Sequence, residues 1–473
     1  MSPTHNQLPL FVDLDGTLIK SDLSVESLLC LLKRNPLYML VLPLWLLKGL
    51  AHLKQKIAER VDLDTSRLIV NEEFMAYLRQ QKERGRSLTL ISASNQKYVD
   101  AVAAQSGLFT RSIGSSDSDN LKGRHKLARI EELTGKQAFA YAGNSAADIP
   151  LWQAATEVIK VNCSADLFRA NGSSQSELQF DSPAPWLPQL WRAMRPHQWL
   201  KNGLIFVPLI LAHRINELPL AFAALLAFFS FSLCASSVYL LNDLLDLDSD
   251  RRHATKCSRP LAAGTLPLVT ALLAAPLLLL LAFAVAALLP IAFLQALFAY
   301  WLLTLLYSVY LKSVFLLDVV TLGLLYTQRL IAGAAVVGVI ASPWLLAFSF
   351  CMFLGLALVK RVTEVQDASG EDSVPGRAYK PSQRSLLTIT GVSANFVAVL
   401  VFAFYIYAPE TTALYSSPTI LWGVCVLLLI LLIRLWHHAI AGKLHHDPIL
   451  FAVSDLPSQV LTGLMFVVLW LAI

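Results

Sequence analysis

The chain has 473 residues, of which 55% are hydrophobic and 15% charged, and its mean hydropathy is +0.55. Soluble domains carry roughly 25% charged residues, so this composition excludes a wholly soluble protein and predicts that much of the chain lies in lipid. The formal net charge of +5 does not indicate nucleic-acid binding. The six cysteines are scattered and predict neither a disulfide framework nor a zinc site.

Residues 1–170 have the composition of a soluble domain in which apolar strands alternate with helices. The predicted elements are strands over 8–12, 87–91 and 137–142 and helices over 71–84 and 122–134. Such alternation predicts an α/β domain with a Rossmann-type parallel sheet. The first residues lack the charged-then-apolar pattern of a secretory signal, so we expect this domain to be cytoplasmic.

The apolar run 37–50 interrupts the α/β pattern. It is too short to cross a bilayer, and Pro43 breaks it. Two interpretations stay open: a buried cap helix, or a segment that docks on a membrane surface or on another domain.

Residues 171–185 are rich in Ser, with two Pro near the end, and predict a linker. Residues 186–199 carry three tryptophans among basic residues, which is typical of a helix at a membrane interface. From residue 186 to residue 473 we predict an all-α membrane domain of about nine transmembrane helices. These spans lie near 199–213, 219–241, 266–288, 290–310, 316–339, 343–360, 386–408, 418–435 and 449–472.

Lysine and arginine are concentrated in the connections that follow the even-numbered spans, whereas the opposite side holds only Arg214. By the positive-inside rule this asymmetry places the soluble domain on the cytoplasmic side of an integral membrane protein of the bacterial inner-membrane type.

Asp13 and Asp15 follow the first predicted strand. An aspartate there can attack phosphorus and form an aspartyl-phosphate, and a second aspartate two residues on can act as general acid and base. Further along, Ser92 offers a hydroxyl and Lys122 an ammonium to a phosphate group. Asn144 and Asp148 follow the last predicted strand and are suited to bind Mg²⁺.

These four motifs, in this order, resemble the haloacid dehalogenase (HAD) superfamily, in its phosphoserine-phosphatase-like branch, over about residues 8–165. The resemblance implies that Asp13 is the nucleophile, that Asp15 is the acid/base, and that both belong to the metal site with Asn144 and Asp148. It also implies that Ser92 and Lys122 bind phosphate. Asn144 stands where the family usually has an acid, which leaves a non-catalytic regulatory domain as an alternative.

An acidic run closes the second predicted span: Asn242, Asp243, Asp246 and Asp250. Asn242, Asp246 and Asp250 repeat every four residues, so on one helix they share a face. Such groups repel one another unless a cation lies among them, and oxygen ligands suit Mg²⁺ that bridges to a diphosphate. The run predicts a metal-held diphosphate at the mouth of a transmembrane bundle; a solvated acidic loop is the alternative.

Several further polar residues are candidates for binding a polyanion near this run or inside the spans. They are Lys201, Asn202, Arg251, Lys256, Arg259, Asp318, Arg329, Lys360 and Arg361, with Glu364 as a ligand of a second Mg²⁺. Asp318 and Arg329 lie eleven residues apart, which predicts that they share one helix face. Interfacial anchoring of the cations and a helical salt bridge between Lys360 and Glu364 are the alternatives.

The Asn-Asp-x-x-Asp-x-x-x-Asp motif in this setting resembles the UbiA superfamily of intramembrane prenyltransferases, over about residues 190–472. The runs that begin at Arg195, Asp250 and Lys360 look like the decaprenyl-phosphate phosphoribosyltransferase branch. Asp318 stands alone, where aromatic prenyltransferases have a second acidic repeat, and this departure favours the same branch.

The resemblance implies Mg²⁺-dependent transfer of 5-phosphoribosyl from phosphoribosyl diphosphate to a polyprenyl phosphate. The HAD-like domain would then remove the 5-phosphate. The alternative is an enzyme that moves an isoprenoid from its diphosphate to an aromatic or other acceptor, with the HAD-like domain a separate phosphatase or a regulatory module. A transporter is disfavoured because the acids cluster at one surface.

Overall fold

A computed structural model describes residues 8–117, 119–163, 176–180, 185–367, 378–444 and 448–472. The chain folds as two compact units. The first comprises Met1–Arg195 and Tyr239–Pro276, and the second comprises Pro196–Val238 and Leu277–Ile473. Residues 186–195 and 239–276, which the sequence assigns to the membrane domain, therefore belong to the first unit.

The first unit is built on a six-stranded parallel sheet with the order β3-β2-β1-β4-β5-β6. The strands are β1 Leu10–Val12, β2 Leu88–Asn95, β3 Arg111–Ser115, β4 Ala140–Gly143, β5 Glu157–Val161 and β6 Ser176–Phe180. All three residues of β1 are buried, as expected for a central strand covered on both faces. The predicted parallel α/β sheet is confirmed.

Strand β6 lies inside the segment that the sequence predicts to be a linker. It pairs in parallel with β5, from Glu157 opposite Ser176 to Val161 opposite Phe180. The Phe180 ring packs against Phe74 at a centroid distance of 5.4 Å. The linker prediction is wrong for these five residues, because a short edge strand needs few apolar side chains to be held; residues 171–175 and 181–184 lie outside the described residues.

Among the described residues up to position 195, eight helices accompany the sheet. They are α1 Leu23–Arg34, α2 Tyr38–Leu46, α3 Leu50–Ala58, α4 Glu72–Glu83, α5 Gln96–Ser106, α6 Arg124–Thr134, α7 Ile149–Ala154 and α8 Trp186–Met194. The side chain of Asp22 caps α1 by accepting from the backbone N–H groups of Ser24 and Val25. The carboxylate of Asp22 thereby fixes where α1 begins, directly after the loop that holds Asp13 and Asp15.

The apolar run 37–50 forms α2 and the start of α3, separated by Gly49 with a φ of 105°. Only glycine adopts this φ readily. None of the nine residues of α2 is buried, so the interpretation of α2 as a buried cap helix is wrong.

The remaining helices are α9 Val207–Leu211, α10 Leu218–Leu245, α11 Leu247–Arg252, α12 Leu268–Ala286, α13 Ile291–Val309, α14 Leu317–Val337, α15 Pro343–Asp367, α16 Arg384–Tyr405, α17 Pro409–Leu414, α18 Trp422–Ile440, α19 Pro448–Ser454 and α20 Leu456–Ala472. Within the described residues, seven helical segments are long and apolar enough to cross a membrane. They are Leu218–Leu245, Leu268–Ala286, Ile291–Val309, Leu317–Val337, Pro343–Asp367, Pro381–Tyr405 and Pro418–Ile440.

The predicted count of about nine spans is not confirmed, and the differences lie at the two ends. Predicted span 199–213 is instead a 3₁₀ segment, Pro196–Phe206, followed by the short α9. Predicted span 449–472 is divided into α19 and α20 at Asp455, whose carboxylate accepts from the Ser458 N–H at 3.0 Å and pairs with Arg434. A charged cap of this kind starts a new helix, so the apolar run is interrupted.

One buried ion pair ties the sheet of the first unit to its N-terminal segment. Arg86 Nη2 lies 2.5 Å from Glu157 Oε2, and both side chains are less than a tenth exposed. Arg86 also donates to the Leu8 carbonyl and to Gln81. Leu8 and Gln81 are neutral acceptors, so the carboxylate of Glu157 is the group that balances the charge of this guanidinium.

We expect Glu157→Ala to lower the free energy of unfolding of the first unit by about 3–5 kcal/mol, because it leaves the Arg86 charge buried without its partner. Urea unfolding of the purified full chain in detergent measures the change. Glu59→Ala is the matched control, since it breaks an exposed pair with Lys56 and should leave the midpoint unchanged. Equal midpoints for the two variants would contradict the expectation.

Candidate functional site

Asp13 and Asp15 lie in the loop that follows β1, at the carboxyl edge of the parallel sheet. The Asp13 N–H donates to the Ala142 carbonyl of β4 at 2.9 Å, which fixes the start of the loop. Asp15 Oδ1 accepts from the Leu23 N–H at 2.9 Å, at the beginning of α1. The loop is therefore held from β4 on one side and from α1 on the other.

Two serines at the end of β2 hold the second carboxyl group. Ser92 Oγ donates to Asp15 Oδ2 at 2.9 Å, and Ser94 Oγ donates to the same atom at 2.6 Å. The sequence predicts Ser92 as a phosphate ligand, and in this structure its hydroxyl donates to Asp15. Ser94 was not predicted, although its period-2 spacing from Ser92 puts both hydroxyls on one side of the strand.

The lysine beside Asp13 is Lys126, not Lys122. Lys126 Nζ lies 2.7 Å from Asp13 Oδ1 and 3.2 Å from the Tyr141 hydroxyl, and the side chain is buried. Lys122 is exposed and precedes α6, so the structure does not bring its ammonium to Asp13. Lys122 lies in the loop before α6, whereas Lys126 lies on the buried face of that helix.

Burial and charge shape the proton affinities of these groups. Burial raises the pKa of Asp13 to about 7, although Lys126 opposes the shift, and burial together with the nearby Asp22 raises the pKa of Asp15 to about 6. Burial alone would lower the pKa of Lys126, yet the carboxylates of Asp13 and Asp148 raise it above its ordinary value. A carboxyl with a pKa near neutrality can both give and take a proton, which suits an acid/base.

A second lysine, Lys54 of α3, reaches the same edge of the sheet. Its Nζ donates to the Ala93 carbonyl at 2.6 Å and lies 3.5 Å from Asn120 Oδ1. Burial lowers the pKa of Lys54 below its ordinary value. The sequence analysis missed this residue because no motif marks it; only the fold of the run 37–58 brings it here.

The predicted metal end of this site is built from Asn144 and Asp148. Asp148 accepts from the Tyr141 hydroxyl at 2.7 Å and from the Asn144 and Ser145 N–H groups at 3.1 and 3.0 Å. The Asn144 amide lies over the Asp13–Asp15 loop, since a Cβ added to Gly16 would meet its Nδ2 at 2.0 Å.

The oxygens of Asp13, Asp15 and Asn144 are the hard donors that Mg²⁺ prefers, so the residues of the HAD-like loop fit this ion. The hydrogen bonds that Asp148 accepts fix the position of its own carboxylate behind these three residues. Among the residues that the structure describes, no three His, Cys, Asp or Glu side chains are grouped as metal ligands.

The acidic run, which begins in the last turn of α10, also lies in the first unit, and two of its carboxylates converge on one arginine. Arg259 Nη1 lies 3.1 Å from Asp243 Oδ1 and 2.5 Å from Asp250 Oδ2. Arg195 makes a second ion pair with Asp243. Both aspartates are buried, so two carboxylates and two guanidinium groups form a compact cluster with no net charge among the four.

The predicted single helix face is wrong in one respect: α10 ends at Leu245, and α11 begins at Leu247 with Asp246 as its N-cap. The backbone bends there, and the buried pair is Asp243 with Asp250 rather than Asn242 with Asp246 and Asp250. These two carboxylates already share a cation position, so their charge and donor chemistry fit a divalent ion bound together with a diphosphate.

The outer residues of the acidic run contact the HAD-like part of the first unit. Arg251 forms a bidentate pair with Glu26 of α1 at 2.6 and 3.0 Å, and both side chains are 8% exposed. Lys33, in the last turn of α1, lies 3.3 Å from Asp246. Arg67 lies 3.3 Å from Asp248. Arg251 was predicted to bind substrate, but its guanidinium is occupied by Glu26.

The second unit holds two polar clusters among its helices. In the first cluster Arg329 of α14 donates to Asn202 Oδ1 at 2.8 Å, and Asn202 Nδ2 donates to Ser232 at 3.0 Å. Arg329 also lies 3.3 Å from the Tyr300 hydroxyl, and Lys201 Nζ lies 5.8 Å from the centre of the Tyr326 ring. These contacts satisfy a buried guanidinium inside the helical unit.

In the second cluster Arg361 of α15 pairs with Asp318 at 2.8 Å and with Glu364, while the Tyr379 hydroxyl donates to Asp318. Asp318 and Arg329 are both buried on α14, and they belong to different polar clusters. Glu364 pairs with Arg361, three residues before it on the same helix. Lys256 and Lys360 are half-buried, and both engage in further interactions.

Comparisons with known proteins agree with both parts of the chain. Residues 204–451 match the UbiA prenyltransferase family, and residues 10–153 match haloacid dehalogenase-like hydrolases. An uncharacterized protein of Sinorhizobium fredii, y4nM, is 36% identical over 469 residues, which covers 97% of this chain and 90% of that protein.

Two further relatives match the second part of the architecture. The decaprenyl-phosphate phosphoribosyltransferase of Mycolicibacterium smegmatis is 33% identical and covers 48% of this chain and 71% of its own length. The nodulation protein NoeC of Azorhizobium caulinodans is 32% identical and covers 56% of this chain and 86% of its own length. The chain belongs to the UbiA prenyltransferase family, carries an N-terminal HAD-like domain and is an integral membrane protein.

We expect Lys126→Met to lower hydrolysis of p-nitrophenyl phosphate on the order of 100-fold, because the buried Asp13 charge and the phosphoryl charge lose their counter-ion. Initial rates of the purified full chain with Mg²⁺ measure the effect. Lys122→Met is the matched control and should keep at least half of the rate. A larger loss in Lys122→Met than in Lys126→Met would contradict the assignment.

Proposed function

We propose that this UbiA-family protein transfers the 5-phosphoribosyl group of phosphoribosyl diphosphate to a polyprenyl phosphate and then removes the 5-phosphate from the product. The observation that carries the proposal is helix α1, which contacts both sites. Its first N–H, from Leu23, binds Asp15, whereas Glu26 and Lys33 pair with Arg251 and Asp246 of the acidic run. A transferase motif and a phosphatase loop that share one helix suit two consecutive reactions on one substrate.

In the transfer step a phosphate oxygen of the lipid attacks C1 of the ribose, and the C1–O bond to diphosphate breaks. Asp243 and Asp250 would hold Mg²⁺, which offsets the charge of the diphosphate when bound. Arg195 and Arg259 already lie beside these carboxylates. They supply two fixed positive charges where the leaving diphosphate becomes more negative.

In the hydrolytic step Asp13 attacks the phosphorus of the 5-phosphate and forms an aspartyl-phosphate. Asp15 gives its proton to the departing ribose oxygen and then takes a proton from the water that hydrolyses the intermediate. Ser92 and Ser94 keep the Asp15 carboxyl oriented, and Lys126 offsets the charge at Asp13. Asp13, Asp15 and Asn144 would hold Mg²⁺ in this site, with Asp148 behind them.

The remaining site residues keep the roles that the sequence gives them. Lys201, Asn202, Lys256, Arg329, Lys360 and Arg361 are proposed contacts of the lipid phosphate or of the phosphoribosyl group, and Glu364 is a proposed ligand of a second Mg²⁺. The positive charges of the connections that follow the even-numbered spans favour a cytoplasmic HAD-like domain. Phosphoribosyl diphosphate is a charged, water-soluble donor, which suits that side of the membrane.

We expect Asp250→Asn to lower transfer of label from radiolabelled phosphoribosyl diphosphate to lipid roughly 100-fold, because it removes charge from the proposed Mg²⁺–diphosphate site. Membranes that contain the full chain are incubated with the donor, polyprenyl phosphate and Mg²⁺. Asp248→Asn is the matched control in the same helix, because Asp248 is half-exposed and pairs with Arg67 and Arg252. Its transfer rate should stay within about twofold of the unchanged protein.

The same assay with Asp13→Asn separates the two steps. We expect labelled lipid to form at the normal rate and to accumulate as the 5-phosphate. Unchanged release of phosphate in Asp13→Asn would instead favour a regulatory HAD-like domain. If folded protein labels no lipid from this donor but consumes prenyl diphosphates, the aromatic prenyltransferase alternative replaces the proposal.

A further inference from the structure

Helix α2 and its flanks form an exposed apolar surface on the first unit. All nine residues of α2, Tyr-Met-Leu-Val-Leu-Pro-Leu-Trp-Leu, are apolar or aromatic, and none is buried. Leu40 is 76% exposed, and Leu47, just beyond the helix, is 84% exposed. The other face is covered, since Tyr38, Leu42 and Trp45 pack on the cluster of Leu31, Ile57 and Val61. In water such a surface is costly, because about 25 cal/mol is gained for each Å² of apolar area removed from it.

The position of α2 in the first unit identifies what covers this surface. Lys33 lies 3.3 Å from Asp246, the residue that follows the candidate span α10. Helix α2 begins at Tyr38, only five residues after Lys33. The start of α2 is therefore tied to the point where a membrane-crossing helix ends.

A second amphipathic element of the same unit has the composition of an interfacial helix. Helix α8 exposes Trp186, Leu187 and Trp191 and lies directly before the membrane part of the chain. Tryptophan is enriched where hydrocarbon meets the headgroups. The first unit thus contains the end of α10, the start of α12 and a tryptophan-rich helix, elements that are typical of a membrane boundary.

The charge of the segment around α2 also matches a bilayer. Residues 27–58 contain five lysines and arginines and no aspartate or glutamate. Lys33, Arg34 and Lys48 are exposed at the two ends of the apolar helix. Basic residues that flank an apolar helix are typical of binding to anionic lipid.

We propose that α2 lies in the membrane interface, with its exposed leucines among the lipid acyl chains and its flanking cations at anionic headgroups. This goes beyond the proposed function, because it requires neither catalytic activity. It gives the HAD-like part of the first unit a lipid-facing side at α2. The phosphate of an isoprenoid-linked substrate could then enter the phosphatase site while its hydrocarbon chain stays in the bilayer.

Photocrosslinking in nanodiscs of phosphatidylethanolamine and phosphatidylglycerol tests the proposal directly. The full chain carries p-benzoylphenylalanine at Leu40, at Leu280 or at Ala76. Leu280 is 69% exposed on the candidate span α12 and serves as the lipid-facing control, whereas Ala76 is exposed on the polar helix α4. We expect phospholipid adducts at Leu40 and Leu280 and none at Ala76. A protein dimer adduct at Leu40, or no adduct there while Leu280 reacts, would overturn the proposal.

A proteolysis experiment gives an independent measure that uses only natural residues. In nanodiscs we expect Leu40→Glu with Leu44→Glu to speed trypsin cleavage after Lys48 roughly tenfold, the fold-change that about 1.4 kcal/mol of lost lipid contact produces. Ala76→Glu with Gln80→Glu has the same i, i+4 spacing on α4 and should leave the rate unchanged. Equal rates for the two double variants would contradict insertion of α2. Neither readout depends on phosphoribosyl transfer, so failure of the proposed function would leave the result interpretable.

Discussion

The buried ion pair between Glu26 and Arg251 is the contact on which the arrangement of the first unit depends. Its partners are 225 positions apart in the chain, one on α1 of the HAD-like part and one on α11 of the acidic run. Two charges withdrawn from water are stable only while they face each other. The pair therefore fixes the acidic run against α1, and the weaker pairs of Lys33 and Arg67 follow from that placement.

The same principle governs both candidate sites. Each gathers negative charge where water is scarce, and each holds that charge with a cation from a different element. In the phosphatase loop Lys126 of α6 faces Asp13 of the β1 loop. In the acidic run Arg195 and Arg259 come from before and after the helix that carries Asp243. The fold brings elements together so that no carboxylate in these two clusters is buried alone.

The sequence predicted those parts of the molecule that depend on local pattern. Strands β1, β2 and β4, helices α4 and α6, and the apolar helices of the membrane part follow from periodicity and hydrophobic runs. The motif aspartates were identified because they follow a predicted strand at short, fixed spacings that the sequence alone shows. The comparisons confirm the two families that these motifs resemble.

The parts that were missed depend on which distant residues meet. Lys122 lies in the loop before α6, and Lys126 lies on the face of α6 that packs toward the sheet; where the helix begins and which face is buried decide between them. Arg251 and Arg259 lie in the same basic stretch of sequence. In the structure Arg251 pairs with Glu26, whereas Arg259 pairs with Asp243 and Asp250. Strand β6 and the helix break at Asp455 were not predicted, because neither follows from an apolar pattern. Backbone pairing with β5 holds the strand, and the contacts of the Asp455 carboxylate with Ser458 and Arg434 mark the break.

The neutral cluster of Asp243, Asp250, Arg195 and Arg259 has a consequence for ligand entry. A bare metal ion would meet carboxylates that already have counter-ions, and a bare polyanion would meet guanidinium groups that already have theirs. A metal and a diphosphate that arrive as one complex can exchange partners with both sets at once, so that charge stays balanced throughout. In the proposed reaction this charge balance would favour the diphosphate donor with its metal ion bound over either component alone.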